Sequence, residues 1–254
     1  MNAKQLPTTA IGYSTQDKIV INGLDLVDEV MGKMGFTELI YLHMTGNKPT
    51  PQQTALLDLV LVTLMEHGLT PSAIVTRLIH YSTPEGIQSA VAAGLLGVGS
   101  TFIGTMEGCA ALLDEMLAAP EGATARARTI AARYRDERRA IPGFGHPIHK
   151  PDDPRSGRML QIAERLDVPG RHIAALRELG AAVDQAYDRH LTINATGATA
   201  ALLGEIAIPS AIMRGVAVIS RSAGLVGHIG EEMRTPSGKH IWNTVEQAIP
   251  YERA

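Results

Sequence analysis

Between Pro142 and Arg155 the chain sets two histidines, a lysine, two aspartates and an arginine in one short segment. It reads Pro142-Gly143-Phe144-Gly145-His146-Pro147-Ile148-His149-Lys150-Pro151-Asp152-Asp153-Pro154-Arg155. The glycines and prolines of its first six residues break any helical pattern, so it is a loop, and loops of this kind often carry chemistry. Glycine on both sides of Phe144 lets the backbone turn sharply and present His146 to a cleft. An imidazole there can give or take a proton near neutral pH, and Arg155 can grip a carboxylate through two parallel hydrogen bonds. His146, His149, Asp152 and Asp153 could also bind a divalent ion. No third, distant ligand set stands out, and no metal site is expected. Two further candidates lie far off in the chain. His67, in Glu66-His67-Gly68, follows an apolar helical run, and a helix C-terminus favours a protonated imidazole. Arg221 sits inside an otherwise apolar stretch, a costly place for a cation without an anionic partner.

These residues must be positioned by helices. Ile19 to Leu26 contains Asn22-Gly23 between two short apolar runs, which predicts a small hairpin. After it the helical period takes over. Thr50-Pro51-Gln52-Gln53 combines an N-cap, a proline at the first helical position and a capping glutamine, so a helix is expected through Met65, ending near His67-Gly68. Thr83-Pro84-Glu85 is expected to open a second, buried central helix rich in Ala and Gly. Arg126, Arg128, Arg133, Arg135, Arg138 and Arg139 are expected to form a solvated face. Ala198 to Ile208 and Ala211 to Val226 are expected as buried helices separated by Pro209. Strand signal is sparse after Leu26, so the fold class is all-α with a minor N-terminal β-hairpin.

The 254 residues are 45% hydrophobic and 19% charged, with a net charge of -3. That suffices for a sizeable core and leaves no electrostatic footprint for nucleic acid or an anionic membrane. The partner is expected to be a small molecule or another copy of the chain. The single cysteine, Cys109, is expected as a buried, inert thiol of a reducing cytoplasm. MNAKQLPTTA has no apolar signal-peptide region and Ala55 to Met65 is too short to span a bilayer, so secretion and membrane insertion are disfavoured.

The run from Pro142 to Arg155 resembles the PGxGHxxxKxxDPR signature of the citrate synthase superfamily. Glu66-His67-Gly68 resembles its acidic-His-Gly element, and Ser220-Arg221-Ser222-Ala223-Gly224-Leu225-Val226-Gly227-His228 its GRSxGxxGH segment. The likeness runs from about Asp17 to Asn243. It implies a large helical domain (residues 1–140 with 205–254) and a smaller one (141–204), with the site in the cleft between them. It also implies roles: His146 as the group exchanging a proton with the hydroxyl or ketone oxygen, His67 as a catalytic group that also binds substrate, and Arg155 and Arg221 on carboxylates. Gly143, Phe144, Gly145 and Lys150 would lie against a coenzyme A thioester, which is substrate or product; no permanently bound cofactor is implied. A homodimer or higher homo-oligomer is implied too, in which Lys239 or His240 would be the cation donated to the neighbouring subunit's site, where the synthases carry an arginine in this tail.

Two departures set the direction. The synthases carry a histidine in an LHGGAN segment; here Gly99-Ser100-Thr101-Phe102-Ile103-Gly104-Thr105-Met106-Glu107-Gly108-Cys109 has none and looks like the GDRFGGALDAA run of the citryl-CoA lyase module of ATP citrate lyase. Ser100 or Thr101 could then offer the hydrogen bond to a thioester oxygen. In Ile193-Asn194-Ala195-Thr196-Gly197, Thr196 stands at the place of the family's catalytic aspartate. A hydroxyl cannot draw a proton from carbon, whereas protonating an enolate already formed can use water. The resemblance therefore implies a lyase splitting a 3-carboxy-3-hydroxyacyl-CoA, such as citryl-CoA, into an acyl-CoA and a 2-oxo acid such as oxaloacetate. The alternatives are a citrate or alkylcitrate synthase-like condensing enzyme and a non-catalytic CoA-thioester-binding member.

Overall fold

A computed structural model describes residues 6–99, 101 and 103–252. The expected hairpin is present as β2 (Ile19–Ile21) and β3 (Leu24–Asp25), with β1 (Gly12–Ser14) added antiparallel to β2. Asn22 and Gly23 form its two-residue turn with φ of 48° and 80°, the left-handed pair that matches strand twist. A π-helical turn (Leu26–Val30) leads into α1 (Phe36–Thr45), α2 (Pro51–Met65), α3 (Pro71–Ser82), α4 (Ile87–Leu96), α5 (Thr105–Leu117) and α6 (Ala123–Asp136). The motif loop follows, then α7 (Pro154–Arg165), α8 (Arg171–Tyr187), α9 (Ala195–Glu205), a short 3-10 turn (Ser210–Ile212), α10 (Met213–Arg234) and α11 (Gly238–Ala248).

Thr50 and Gln53 close the expected capping box at the start of α2, which ends at Met65, so that Glu66 is its C-cap and His67 lies beyond it. Two expectations for the next segment fail. Thr83 caps the end of α3, and α4 begins only at Ile87; the turn at Pro84–Gly86 separates the two helices. Nor is α4 the buried centre: only Ala90 and Gly94 of it are buried, and Leu96 is exposed. That place belongs to α9, whose Ala198, Ala200, Ala201, Leu202 and Leu203 are fully buried and which packs against α2, α5, α7 and α8. Its small side chains let those helices close around it. On α6, Arg126, Arg133 and Arg135 pair with Glu115, Glu121 and Asp136 on a solvated face, while Ala127, Ile130, Ala131 and Tyr134 face inward. Cys109 is buried, and burial pushes its thiol up to about 12.

Two helices deliver the site. α9 brings its N-cap and first residues, Asn194 to Thr196, to the surface of a cavity. α10 buries a stripe that includes Ser220, Arg221, Gly224, Leu225, His228 and Glu232, residues three and four apart on one face. Gly224 lets it approach the end of α2 closely: a Cβ there would lie 2.0 Å from the Met65 carbonyl oxygen. Arg221 and His228 are thereby placed beside Glu66.

Candidate active site

The motif loop is laced to the segment that precedes α9. Gly145 donates to the Thr192 carbonyl, Asn194 N–H to the Gly143 carbonyl at 3.0 Å, and Asn194 Nδ2 to the Gly145 carbonyl at 2.9 Å. Gly143 and Gly145 have φ of 87° and 78°, so the sharp turn around Phe144 is built as the sequence implies. Gly143 has a second reason to lack a side chain, since a Cβ would meet the Cys109 sulfur at 2.6 Å and the Gly197 Cα at 3.0 Å.

That turn delivers His146 to a cavity of about 500 Å³ whose walls include His67, Thr101, Thr105, Phe144, Gly145, His146, Arg155, Asn194, Thr196 and Arg221. Residues from five parts of the chain thus meet on one surface. Gly143 stays behind the wall, and Lys150 and Lys239 do not line this cavity; Lys239 is exposed on α11. Ser100 lies outside the described residues.

Hydrogen bonds assign the protons. His146 Nδ1 accepts from the backbone N–H of Ile148 at 3.1 Å and of His149 at 3.0 Å. A nitrogen that accepts carries no proton, so the imidazole is neutral with its hydrogen on Nε2. The Arg155 Nη2 group 3.4 Å from that Nε2 is then a donor facing a donor, not a hydrogen bond. Burial, followed by the neighbouring His149, holds His146 below the ordinary histidine value; the His149 ring stacks on it with centroids 4.3 Å apart. His67 is likewise held low, by burial first and then by Arg155 and Arg221.

Arg155 is oriented by Asp153, the N-cap of α7. Its Nε and Nη2 reach the two oxygens of that buried carboxylate at 3.0 and 2.8 Å. Burial alone would raise the Asp153 carboxyl; the Arg155 side chain together with the backbone N–H groups of Arg155 and Ala195 holds it below the ordinary carboxylate range. Arg221 has no such partner: its buried Nε and Nη1 make no hydrogen bond within the described residues. Two buried guanidinium donors left open beside a cavity call for an anion with oxygen acceptors. One ring nitrogen each of His67, His146 and His149 lie within 4.8 Å of one another, a set that could hold a metal ion. Two guanidinium groups border the same cavity, and their positive potential favours an anion over a cation.

The sequence did not point to three participants. Glu66 accepts the N–H groups of His67 and Gly68 at 2.8 and 2.6 Å and fixes the turn that carries His67; its place in the acidic-His-Gly element was the available signal. Asn194 accepts from the Thr196 and Gly197 N–H groups as the N-cap of α9, readable as an asparagine before an alanine-rich helix. Thr105 meets Thr196 across 91 residues of sequence, and no local signal announces it.

The domain family described as "Citrate synthase, C-terminal domain" matches residues 5–243, and the chain belongs to the citrate synthase family. Within it, the chain is similar to citryl-CoA lyase from Hydrogenobacter thermophilus, with 28% identity, a TM-score of 0.87 and coverage of 98% of this chain and 96% of that one. The "Putative citrate synthase 2" of Mycobacterium tuberculosis is 28% identical over 195 residues, 74% of this chain and 50% of its own length, so the chain spans about half of that relative. Methanosaeta concilii ATP citrate lyase, in a complex with (3S)-citryl-CoA, shares the fold at a TM-score of 0.77 and 19% identity, over 100% of this chain and 43% of that one.

Proposed function

We propose that this protein is a carbon-carbon lyase that splits a 3-carboxy-3-hydroxyacyl-CoA, citryl-CoA or an analogue, into an acyl-CoA and a 2-oxo acid. The observation that carries the reading is the inventory of the cavity. It offers open guanidinium donors and two neutral imidazoles to a hydroxy acid, and a hydroxyl, Thr196, where condensation would need a carboxylate base. The likeness to a citryl-CoA lyase along nearly the whole chain supports it.

In this reading Arg221 and Arg155 hold carboxylate of the hydroxy acid, and segment 141–204 closes as a smaller lobe on the larger body. The Nε2–H of His146 donates to the hydroxyl oxygen. A donor with its other nitrogen occupied cannot also take the hydroxyl proton, which moves that role from His146 to His67. One ring nitrogen each of His67 and His146 lie within 4.8 Å of one another, close enough for a single hydroxyl oxygen at about 2.9 Å from each to serve both rings. As the proton leaves, the C–O bond becomes the carbonyl of the 2-oxo acid. The C2–C3 bond breaks, and its electron pair forms the thioester enolate. Thr101, on the cavity wall, is the candidate donor to the thioester oxygen. Phe144 and Gly145 border the path of the thioester arm. Lys239, outside this chain's own cavity, would reach a site only from a second copy in a homodimer, and sedimentation analysis of the Lys239→Ala variant beside the wild type separates assembly from site completion.

The test is incubation of the purified protein with synthetic citryl-CoA and, separately, with acetyl-CoA plus oxaloacetate, followed by mass spectrometry. Cleavage without condensation is the expected result. Condensation proceeding faster than cleavage would make it a synthase, and silence with citryl-CoA and its 3-carboxy-3-hydroxyacyl analogues would leave a binding role.

A further inference from the structure

Resting on the lyase reading, one question stays open: where the enolate finds its proton when threonine stands in the aspartate's place. Among the described residues, Glu66 is the carboxylate that lines the cavity, and it is a poor acid. It already accepts two backbone N–H groups and the His228 Nε2–H. Burial would raise its carboxyl, but those bonds, beginning with the His67 N–H, hold it below the ordinary range. Asp153 is fully buried in the grip of Arg155.

The hydroxyl at 196 is itself held in a defined state. Asn194 Nδ2 donates to the Gly145 carbonyl, which fixes the amide so that Oδ1 faces α9. That Oδ1 accepts from the Thr196 N–H, the Gly197 N–H and the Thr196 hydroxyl, the last at 2.7 Å. With its own hydrogen committed, Thr196 Oγ1 can only accept in its 2.8 Å contact with Thr105, so the Thr105 hydroxyl is the donor there. A hydroxyl oxygen has two acceptor lone pairs. One remains on Thr196 Oγ1, a side chain on the cavity wall, and it can take a hydrogen bond from a water molecule.

We infer that Thr196, locked as an acceptor by Thr105 and Asn194, positions the water that protonates C2 of the thioester enolate. One O–H of that water is held by Thr196 and the other points to carbon. As the C–H bond forms, the enolate electron pair is consumed and hydroxide is left; hydroxide takes the proton that His67 removed from the substrate hydroxyl, which regenerates water and the neutral base. Thr196 is thus a positioning residue that acts through water. In the reverse direction that water must first give a proton to His67, and the hydroxide so formed draws the methyl proton; imidazole is a weak base toward water, so the methyl protons of acetyl-CoA exchange slowly without a carboxylate at 196.

The test uses the full chain, with citryl-CoA cleavage and acetyl-CoA methyl exchange both followed in D2O. Thr196→Val keeps the shape and removes the lone pair; it should lower kcat by roughly tenfold to a hundredfold with KM little changed. Thr196→Ser, which keeps the hydroxyl, should retain most of the turnover. Wild type should exchange the acetyl-CoA methyl protons slowly, and Thr196→Asp should exchange them faster. Undiminished kcat in Thr196→Val, or methyl exchange by the wild type as fast as by Thr196→Asp, overturns the assignment while leaving the lyase reading in place. A wild type inert toward citryl-CoA and its analogues overturns that reading and this inference with it, and the failure shows in the unmodified protein.

Discussion

Two buried arginines stand on either side of Glu66 and are used in opposite ways. Arg77 on α3 and Arg221 on α10 are almost equally hidden, at 4% and 6% exposure. Arg77 has a partner for each of its nitrogens: Glu232 Oε2 at 2.9 Å, Ser237 Oγ at 3.2 Å, Glu231, and the Nδ1 of His228 at 3.1 and 2.9 Å. Arg221 leaves Nε and Nη1 open. The same contrast separates two imidazoles. His228 and His146 both accept N–H donors at Nδ1 and so both carry hydrogen on Nε2, but that of His228 is given to Glu66 at 3.1 Å, while His146 lines the cavity and its Nε2 has the Arg155 donor beside it at 3.4 Å. A saturated network holds the architecture, and an unsaturated one of the same residue types awaits a ligand. The two regions meet at Glu66, whose carboxylate receives His228 on one side and the backbone of His67 on the other.

The comparison is most easily broken through stability. Arg77→Met removes the partner of a fully hydrogen-bonded, buried Glu232, and an uncompensated buried charge costs about 3–5 kcal/mol. Urea unfolding should show a midpoint lowered accordingly. Arg221→Met should leave the midpoint unchanged or raise it, because the lost cation had no internal partner. Equal losses in the two variants would mean that Arg221 is as structural as Arg77.

Turnover sharpens the contrast between the imidazoles. His146→Ala should lower the cleavage rate by about 100-fold or more with the unfolding midpoint little changed. His228→Ala, which frees Arg77 and loosens the Glu66 turn, should cost stability first. If His146→Ala cleaves at the wild-type rate, it has no part in the chemistry.

Affinity comes next in size. A hydrogen bond to a charged group contributes about 1.5–3 kcal/mol, so Arg221→Lys, which keeps the charge and loses the fork, should raise KM by roughly ten- to a hundredfold. The wild type should also gain thermal stability on adding oxaloacetate or citrate, as any ligand selective for the folded state confers, and Arg221→Met should gain none. A mild effect in both measurements places Arg221 outside the substrate's reach.

The open region was far more legible in the sequence than the closed one, for a physical reason. Asn22-Gly23, the Thr50–Gln53 box and the glycines flanking Phe144 are local devices, each read from a few adjacent residues whose backbone demands are intrinsic. His67, His146, Arg155 and Arg221 were found because their types are costly or out of pattern where they stand, or resemble a known signature. Arg77 and His228 pair across 151 residues, Arg77 and Glu232 across 155. Each partner read alone is an ordinary charged residue on a helix, and nothing short of the fold brings them together. Thr83 was misread because threonine before proline is a helix-start signal that the turn through Gly86 overrode. Lys239 is read, by order along the chain, as a cation for the neighbouring copy's site; α11 holds it exposed and off the cavity formed by its own chain.

The smallest effect concerns pH. His67 and His146 are both held below the ordinary histidine value, so folding favours their neutral forms. Their contribution to stability is complete above the unfolded value of about 6.5 and is lost as pH falls below it toward the folded values, because the unfolded chain then binds more protons. Thermal melts of the wild type at about pH 7.5 and about pH 5.5, on either side of that value, should show a larger loss than those of the His67→Asn/His146→Asn double variant. Activity should follow the same groups: the acid limb of kcat/KM, which reports the free enzyme, should fall below the ordinary histidine value. A limb at or above it would mean that the site works with a charged imidazole. His146, with both backbone N–H groups on Nδ1, could not then be the neutral donor that separates this region from the paired one behind it.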